Sequence, residues 1–492
     1  MQLRRELWKT LRPDTQEFVY DYLKNYLALP QNEWENFLFP SFEKLLSPNL
    51  MHGMQAAVRR VMEAIKRKEQ ICVYGDYDCD GVPGTAMLRD FFQTIKYDRV
   101  IYYIPDRHNE GYGLNISAID KIKQNDTKLI ITIDLGTTNL EEVAYARDLH
   151  IDVIVTDHHL PLLQDDVELL PMACAIVNNK LRACSYDYKF LSGSGTIYKF
   201  IVAMLEYMQE NKEDWQGTKI ELPNKGYEKW LLDLVAVATV ADLVPLTSEN
   251  RILTIYGLYV LSKTRRAGLQ TIFKNARVDL KKVDETEIAF TLAPRINSAS
   301  RMANPQIALS MFSKDDVEGI SAAHELEDLN NLRKQTTTNI SKKIFKILDE
   351  RLISEKKLPD VVVIGSPDWN AGVLGILASK VQERYDVNIF VWGGDTEDKK
   401  FKGSCRSKGD VNVVNLMQSC RDIFIKFGGH ELAGGFQISF DELHTLEQKL
   451  NKKVSMAKLV GDSKQKPKFL NVKLEKIDSD FLNALNLLGP FG

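Results

Sequence analysis

Residues 70–81 read QICVYGDYDCDG, an apolar run that passes directly into Gly75-Asp76-Tyr77-Asp78-Cys79-Asp80-Gly81. A short continuous apolar run closed by glycine has the signature of a strand buried on both faces. Three further runs of this kind follow: VIYYI at 100–104, KLIITI at 128–133 and IDVIV at 151–155. Segments with helical spacing lie between them, at 84–95, 116–123 and 140–149, and a fifth run at 173–177 extends the series. Strands alternating with amphipathic helices predict an α/β domain with a parallel sheet covered on both faces.

The acidic and histidine residues fall where these strands end. Asp76, Asp78 and Asp80 follow the first strand, Pro105-Asp106-Arg107 the second, Asp134 the third, and Thr156-Asp157-His158-His159 the fourth. In an open parallel sheet the carboxyl ends of the strands share one edge, and ligands bind along it. Carboxylates and two imidazoles from distant stretches therefore meet there. Two unit negative charges 4 Å apart repel by about 4 kcal/mol at an effective dielectric of ~20, and bound divalent cations relieve that repulsion. Oxygen donors mixed with a neutral imidazole suit Mn²⁺ or Mg²⁺, and the absence of thiolate donors disfavours structural zinc. Two such ions activate a water and clamp the oxygens of a phosphoryl displacement, so metal-dependent phosphoester hydrolysis is the chemistry these residues suggest. Asp-x-Asp-x-Asp-Gly also opens a calcium EF-hand loop, but the twelfth position holds Met87 rather than Glu. Asp134 alone could cap a helix, and His158-His159 alone could be loop polarity. Asp242, after the apolar run LLDLVAVATVA, reads equally well as a ligand or as the end of a buried helix.

Composition sets wider limits. The chain has 492 residues, enough for two to four domains. Its 64 Lys+Arg against 67 Asp+Glu give a net charge of −3, which excludes a uniformly basic nucleic-acid binder and leaves room for a local basic groove. Hydrophobic content of 44% excludes wholesale disorder. No stretch approaches the ~20 apolar residues of a membrane span, and MQLRRELWKTLRPD has no apolar signal core, so a cytoplasmic location without membrane contact is expected. The six cysteines form no CxxC pair and are expected to be free thiols.

Several blocks resemble a known family. VYGDYDCDG at 73–81, Asp134 after its strand, TDHH at 156–159 and TVADLVP at 239–245 are similar to the four signature blocks of DHH-superfamily phosphoesterases. IPDRHNEGYGLN at 104–115, SENR at 248–251, APRINSASRM at 293–302, GVLGILASK at 372–380, KGSCRS at 402–407 and FGGHELAGG at 427–435 narrow the resemblance to the RecJ branch, single-strand DNA exonucleases. The resemblance implies that Asp76, Asp78, Asp80, Asp134, His158 and Asp242 hold two divalent cations, Mn²⁺ or Mg²⁺, with Asp134 bridging them. It makes His159 a supporting or phosphate-contacting residue. It implies substrate contacts at Arg107, Arg295, Arg301, Ser404, Arg406, Gly428, Gly429 and His430. Asn370, in DWNAG, stands where the family usually has His.

The implied architecture is α/β throughout: an N-terminal helical segment (1–50), a parallel-sheet DHH domain (51–314), a long connecting helix (315–356), and a smaller α/β DHH-associated domain (357–440). Residues 441–492, with eight lysines between Lys452 and Lys476, are expected to begin an OB-fold left incomplete, so that the sequence is a fragment or lacks a complete module. The implied function is 5′→3′ hydrolysis of single-stranded DNA in repair and recombination, by a monomer whose partners include a single-strand-binding protein and a helicase. The competing enzyme is a DHH hydrolase of short oligonucleotides or small phosphate esters. A non-catalytic replication scaffold is the third reading, and the intact donor set speaks against it.

Overall fold

The computed structural model describes residues 2–107, 109–111, 113–394, 400–459 and 470–492. The chain forms two compact units, Met1–Glu327 with Phe469–Gly492, and Asp328–Lys468. The division falls inside one 40-residue helix, Asp316–Glu355.

In the first unit, strands β1 (Gln70–Gly75), β2 (Val100–Tyr103), β3 (Thr127–Ile133), β4 (Asp152–Asp157) and β7 (Ala175–Asn178) form one sheet in the order β2-β1-β3-β4-β7. All its pairings are parallel. A two-stranded hairpin of β5 (Leu162–Gln164) and β6 (Val167–Leu169) stands apart from it. Side chains alternate across the main sheet with period two. Ile71, Val73, Leu129 and Ile131 join the core under helices Met54–Arg67, Gly81–Thr94 and Gly193–Glu210. Cys72, Tyr74, Ile130 and Val153 face helices Ile116–Lys123 and Leu140–Asp148 on the other side. Both faces are thus sealed, which is why the strands read as unbroken apolar runs.

The order of strand addition reverses at β1, which has β2 on one side and β3 on the other. A crevice opens at such a switch point beyond the carboxyl ends. The loop ends extend the sheet pairing there: Asp76 N–H donates to the Ile133 carbonyl (3.1 Å) and Asp134 N–H to the Thr156 carbonyl (3.0 Å).

The N-terminal helices Gln2–Thr10, Pro13–Asp21 and Gln31–Leu38 pack with helix Ser479–Leu488 around Leu11, Val19, Leu23, Phe37, Ala484 and Leu487. Arg251, of the SENR block, is buried against this cluster. Its guanidinium donates to the carbonyls of Phe37 (2.7 Å), Leu488 (3.0 Å), Gly489 (2.8 Å) and Pro490 (3.0 Å). A cation at the carbonyl end of a helix satisfies acceptors the helix itself cannot.

In the second unit, β8 (Val361–Gly365), β9 (Asn388–Gly393), β10 (Lys400–Arg406), β11 (Phe424–His430) and β12 (Ala433–Ser439) form a mixed sheet in the order β11-β12-β10-β9-β8. Helix Phe440–Lys453 packs on the same core through Leu443, Leu446 and Leu450. The segment 441–492, expected to open an OB-fold, differs from that expectation: its described residues form this helix, short 3-10 turns and helix Ser479–Leu488, with no strand. Phe481, Ala484, Leu487 and Leu488 recur at three- and four-residue spacing and are buried on one helical face. Residues 460–469 lie outside the described residues. Among the described residues no helix is long and apolar enough to cross a membrane.

Candidate metal centre

The GDYDCDG loop folds back on itself through its own carboxylates. Asp78 Oδ1 accepts from the N–H groups of Asp80 (2.8 Å) and Gly81 (3.1 Å), the start of helix Gly81–Thr94. Asp80 places its carboxylate at a second helix start, where Gly193 N–H donates to Oδ2 (2.6 Å) and Ser194 N–H to Oδ1 (2.7 Å). A helix N-terminus stabilises such a negative charge. Two glycines make the approach possible. A Cβ on Gly81 would lie 2.5–2.8 Å from the Asp76 backbone, and one on Gly193 would lie 2.6–2.8 Å from the Asp134 side chain. Asp134 itself sits at φ 63°, a left-handed conformation that Asp tolerates better than most residues. Such backbone conformations persist only where the surrounding structure enforces them.

The expected donors converge. His158 Nε2 lies 3.0 Å from Asp134 Oδ1, 3.6 Å from Asp242 Oδ2 and 3.7 Å from Asp80 Oδ2. Two trios have donor atoms mutually within 4.8 Å, Asp80–His158–Asp242 and Asp76–Asp78–Asp134, and Asp134 also groups with His158 and His159. Asp134 and His158 therefore connect the two trios. Asp242, ambiguous from sequence, ends helix Leu232–Ala241 and points at His158.

Burial and mutual repulsion raise four of these acids, Asp76, Asp80, Asp134 and Asp242, above the usual carboxylate range. Burial, then the neighbouring Asp78, raise Asp80 to about 6. Burial, then Asp80 and Asp78, raise Asp242 to about 8. Asp76 and Asp134 shift upward for the same reasons. Burial, reinforced by His159, lowers His158 to about 3, so its imidazole is neutral and able to ligate. His159 behaves oppositely. Burial pulls it down, but its 2.8 Å hydrogen bond to Asp157 prevails and raises it to about 9. Asp157 is held below the usual range despite burial, through His159 and the Thr137 N–H (2.9 Å).

Asp76 Oδ1 and His158 Nε2 are buried and make no hydrogen bond among the described residues. Buried polar atoms left this way are costly unless a ligand satisfies them. Two oxygen-rich trios containing a neutral imidazole fit a pair of hard divalent cations. Asp76, Asp78, Asp80, Asp134, His158 and Asp242 could hold them.

Arg107 stacks its guanidinium 5.1 Å from the Tyr77 ring, beside the loop, and Arg301 is close enough to act electrostatically on Tyr77. Arg295 does not join them. Its guanidinium is engaged by Glu327 (2.7 and 3.1 Å) and the Thr291 carbonyl (2.6 Å), and it is buried. It therefore serves as a strut in the structure described. In the second unit, β12 lies between β10 and β11 and brings the remaining residues together by register, with Ser404 opposite Gly435 and Gly435 opposite Gly428. Gly428, Gly429 and His430 form the end of β11. Asn370 caps its own turn, accepting from Gly372 N–H (2.7 Å).

Sequence reasoning missed four supports. Asp157 orients His159; Gly193 and Ser194 hold Asp80; Asn178 Nδ2 donates to the His159 carbonyl (2.8 Å); and Asn297 Oδ1 accepts the Cys79 N–H (3.0 Å). Asp157 and Asn297 carried a signal, lying inside the TDHH and APRINSASRM blocks.

The family models agree with this geometry. Residues 70–239 match the DHH family, N-terminal domain, and residues 358–456 the DHHA1 domain. The single-stranded-DNA-specific exonuclease RecJ of Escherichia coli is 31% identical over 422 residues, covering 84% of this chain and 71% of that protein. The chain belongs to the RecJ family. The RecJ of Bacillus subtilis is 34% identical over 465 residues, which is 93% of this chain and 55% of that protein, so the chain spans about half the length of this relative. A crystal structure of exonuclease RecJ bound to manganese superimposes with a TM-score of 0.69 at 26% identity, covering 86% of this chain and 98% of that one.

Proposed function

We propose that this RecJ-family chain hydrolyses single-stranded DNA from its 5′ end in a reaction that requires two divalent cations, Mn²⁺ or Mg²⁺. The observation that carries the reading is the pair of donor trios connected through Asp134 and His158 at the switch point of the parallel sheet. Asp76, Asp78, Asp80, Asp134, His158 and Asp242 would hold the ions, which would supply the charge that makes a water nucleophilic and neutralises phosphoryl oxygens. The manganese bound by the related RecJ supports the choice of ion.

The chain's own groups divide the remaining work. The helix start at Gly193 fixes Asp80 through two N–H donors. Asp157 keeps His159 protonated, so that its ring presents a positive N–H where a phosphate oxygen would arrive. Arg107, held against Tyr77, offers a planar fork suited to a terminal phosphate. In the second unit Ser404, Arg406 and the Gly428-Gly429-His430 edge are proposed as further phosphate contacts, with the side chains of β10 and the glycine backbone of β11 in adjacent register. Action in DNA repair and recombination, in the cytoplasm, as a monomer alongside a single-strand-binding protein and a helicase, belongs to the same reading and is supported by family membership alone.

The test is digestion of 5′-phosphorylated single strands, long and dinucleotide, with and without Mn²⁺, beside duplex DNA and RNA. The expected result is Mn²⁺-dependent release of 5′-mononucleotides from long strands, abolished by Asp134→Ala. Undiminished hydrolysis by that variant refutes the ligand assignment, and equal turnover of dinucleotides and long strands refutes the long-strand substrate.

A further inference from the structure

The N-terminal helices carry an unassigned cavity of about 620 Å³, within the ~300–1,000 Å³ typical of ligand sites. Four aromatic rings form its walls, Trp8, Tyr20, Trp34 and Phe39, and Arg5 and Lys9 stand among its lining residues. The rings make a connected set. Tyr20 stacks on Trp34 (5.1 Å between centroids, 23°) and meets Trp8 edge-on (5.3 Å), and Trp8 meets Phe39 edge-on (6.2 Å). Trp8, Trp34 and Phe39 also pack against the cluster that includes helix Ser479–Leu488, so their positions are fixed from behind. Tyr20 remains 39% exposed. Arg5 sits over the Phe39 ring (4.7 Å) and pairs with Glu35 (3.1 Å), whereas Lys9 is exposed and makes no ion pair among the described residues. The helix that bears both cations, QLRRELWKT, has three basic residues and one acidic.

Pre-set aromatic faces beside an uncommitted cation are the chemistry that holds single-stranded nucleic acid, with bases stacking on rings and phosphates meeting lysine. We propose that this cavity is an accessory holding site for single-stranded nucleic acid, taking a base against Tyr20 and Trp8 and a backbone phosphate at Lys9. The choice of a nucleic acid rests on the single-strand reading above and on the positive charge at the rim. A proline-rich peptide, which needs aromatic ridges and no cation, is the competing occupant.

The experiment measures binding of the full chain to a labelled (dT)20 strand in EDTA across a salt series. Because no divalent ion is present, the outcome is independent of whether the chain hydrolyses what it holds. Tyr20→Ala is expected to weaken binding roughly 5- to 100-fold through loss of one stacked base. Lys9→Ala is expected to reduce the slope of log affinity against log salt by about 0.7, the value for one phosphate contact on a single strand. Both side chains are exposed, and an unchanged melting midpoint verifies the fold. Photo-crosslinking with a strand containing 5-iodo-deoxyuridine is expected to label Trp8, Tyr20 or Trp34. Unchanged affinity and slope in the two variants, or crosslinks confined to residues outside 2–39, overturn the proposal. A proline-rich peptide bound by the wild type and lost in Tyr20→Ala, with strand affinity unchanged, overturns it in favour of a protein partner.

Discussion

Gly193→Ala isolates the close approach on which the metal centre is built. The added Cβ would stand 2.6 Å from Asp134 Cβ, 2.7 Å from its Oδ1 and 2.8 Å from its Cγ. Reaching an ordinary 3.4 Å contact requires a retreat of about 0.8 Å, by the Asp134 side chain or by the start of helix Gly193–Glu210. Either movement damages the site: the first shifts Asp134 away from His158, and the second draws two N–H donors away from Asp80. A displacement near 1 Å costs about 10²-fold in rate, equivalent to about 2.7 kcal/mol of transition-state stabilisation, and overpacking costs about 1–3 kcal/mol of stability. Gly195→Ala, two residues along the same helix, is the internal control, because its Cβ finds nothing nearer than 3.5 Å. That variant should be neutral or stabilised by up to about 1 kcal/mol. The assays are Mn²⁺-dependent hydrolysis of a 5′-phosphorylated strand, Mn²⁺ titration calorimetry and urea unfolding of both variants. Wild-type rate and Mn²⁺ affinity in Gly193→Ala would refute the reasoning, as would equal losses in the two variants.

Asn297→Ala, which frees the Cys79 N–H of the metal loop, should lower Mn²⁺ affinity roughly 10–100-fold with little change in melting temperature, as read by calorimetry. Stability in EDTA should fall as pH rises from about 6.5 to 9. Asp242, raised to about 8, and His159, raised to about 9, both bind more protons folded than unfolded in that window, while His158, lowered to about 3, contributes only below 6.5. Urea midpoints against pH should show this slope, and saturating Mn²⁺ should flatten the Asp242 part of it; a rise in stability across the window refutes the assignment. Arg251→Met leaves several buried carbonyls without their donor, at about 1–3 kcal/mol each where no water reaches them. Limited proteolysis should then cut within residues 2–50 and 470–492 first, and an unchanged cleavage pattern counts against Arg251 as the anchor.

The sheet and most of its candidate donors were legible because buried parallel strands need unbroken apolar runs, and an acid placed directly after such a run lies at the sheet's carboxyl edge. Asp76, Asp78, Asp80, Asp134 and His158 all follow that rule. Asp242 does not, since it ends a helix whose direction depends on packing, and its neighbours read equally well as a turn. The contact of Gly193 and Ser194 with Asp80 spans more than a hundred residues; a Ser-Gly-Ser-Gly run announces a helix start but not what the start will meet. Arg295 carried a phosphate-binding expectation from its block, yet Glu327, one helix away, engages its guanidinium in the fold. Helix Ser479–Leu488 was obscured by the lysine-rich stretch before it, although its own apolar spacing is helical.

The donors are also spread unevenly along the chain, and this orders events during synthesis. Three lie within five residues, but Asp242 comes 166 positions after Asp76. A nascent polypeptide emerging from the ribosome cannot complete the second trio until β4 and the helix ending at Asp242 have both docked. On the two-cation reading proposed above, full loading would be a late event, and a half-made copy would lack the complete donor set.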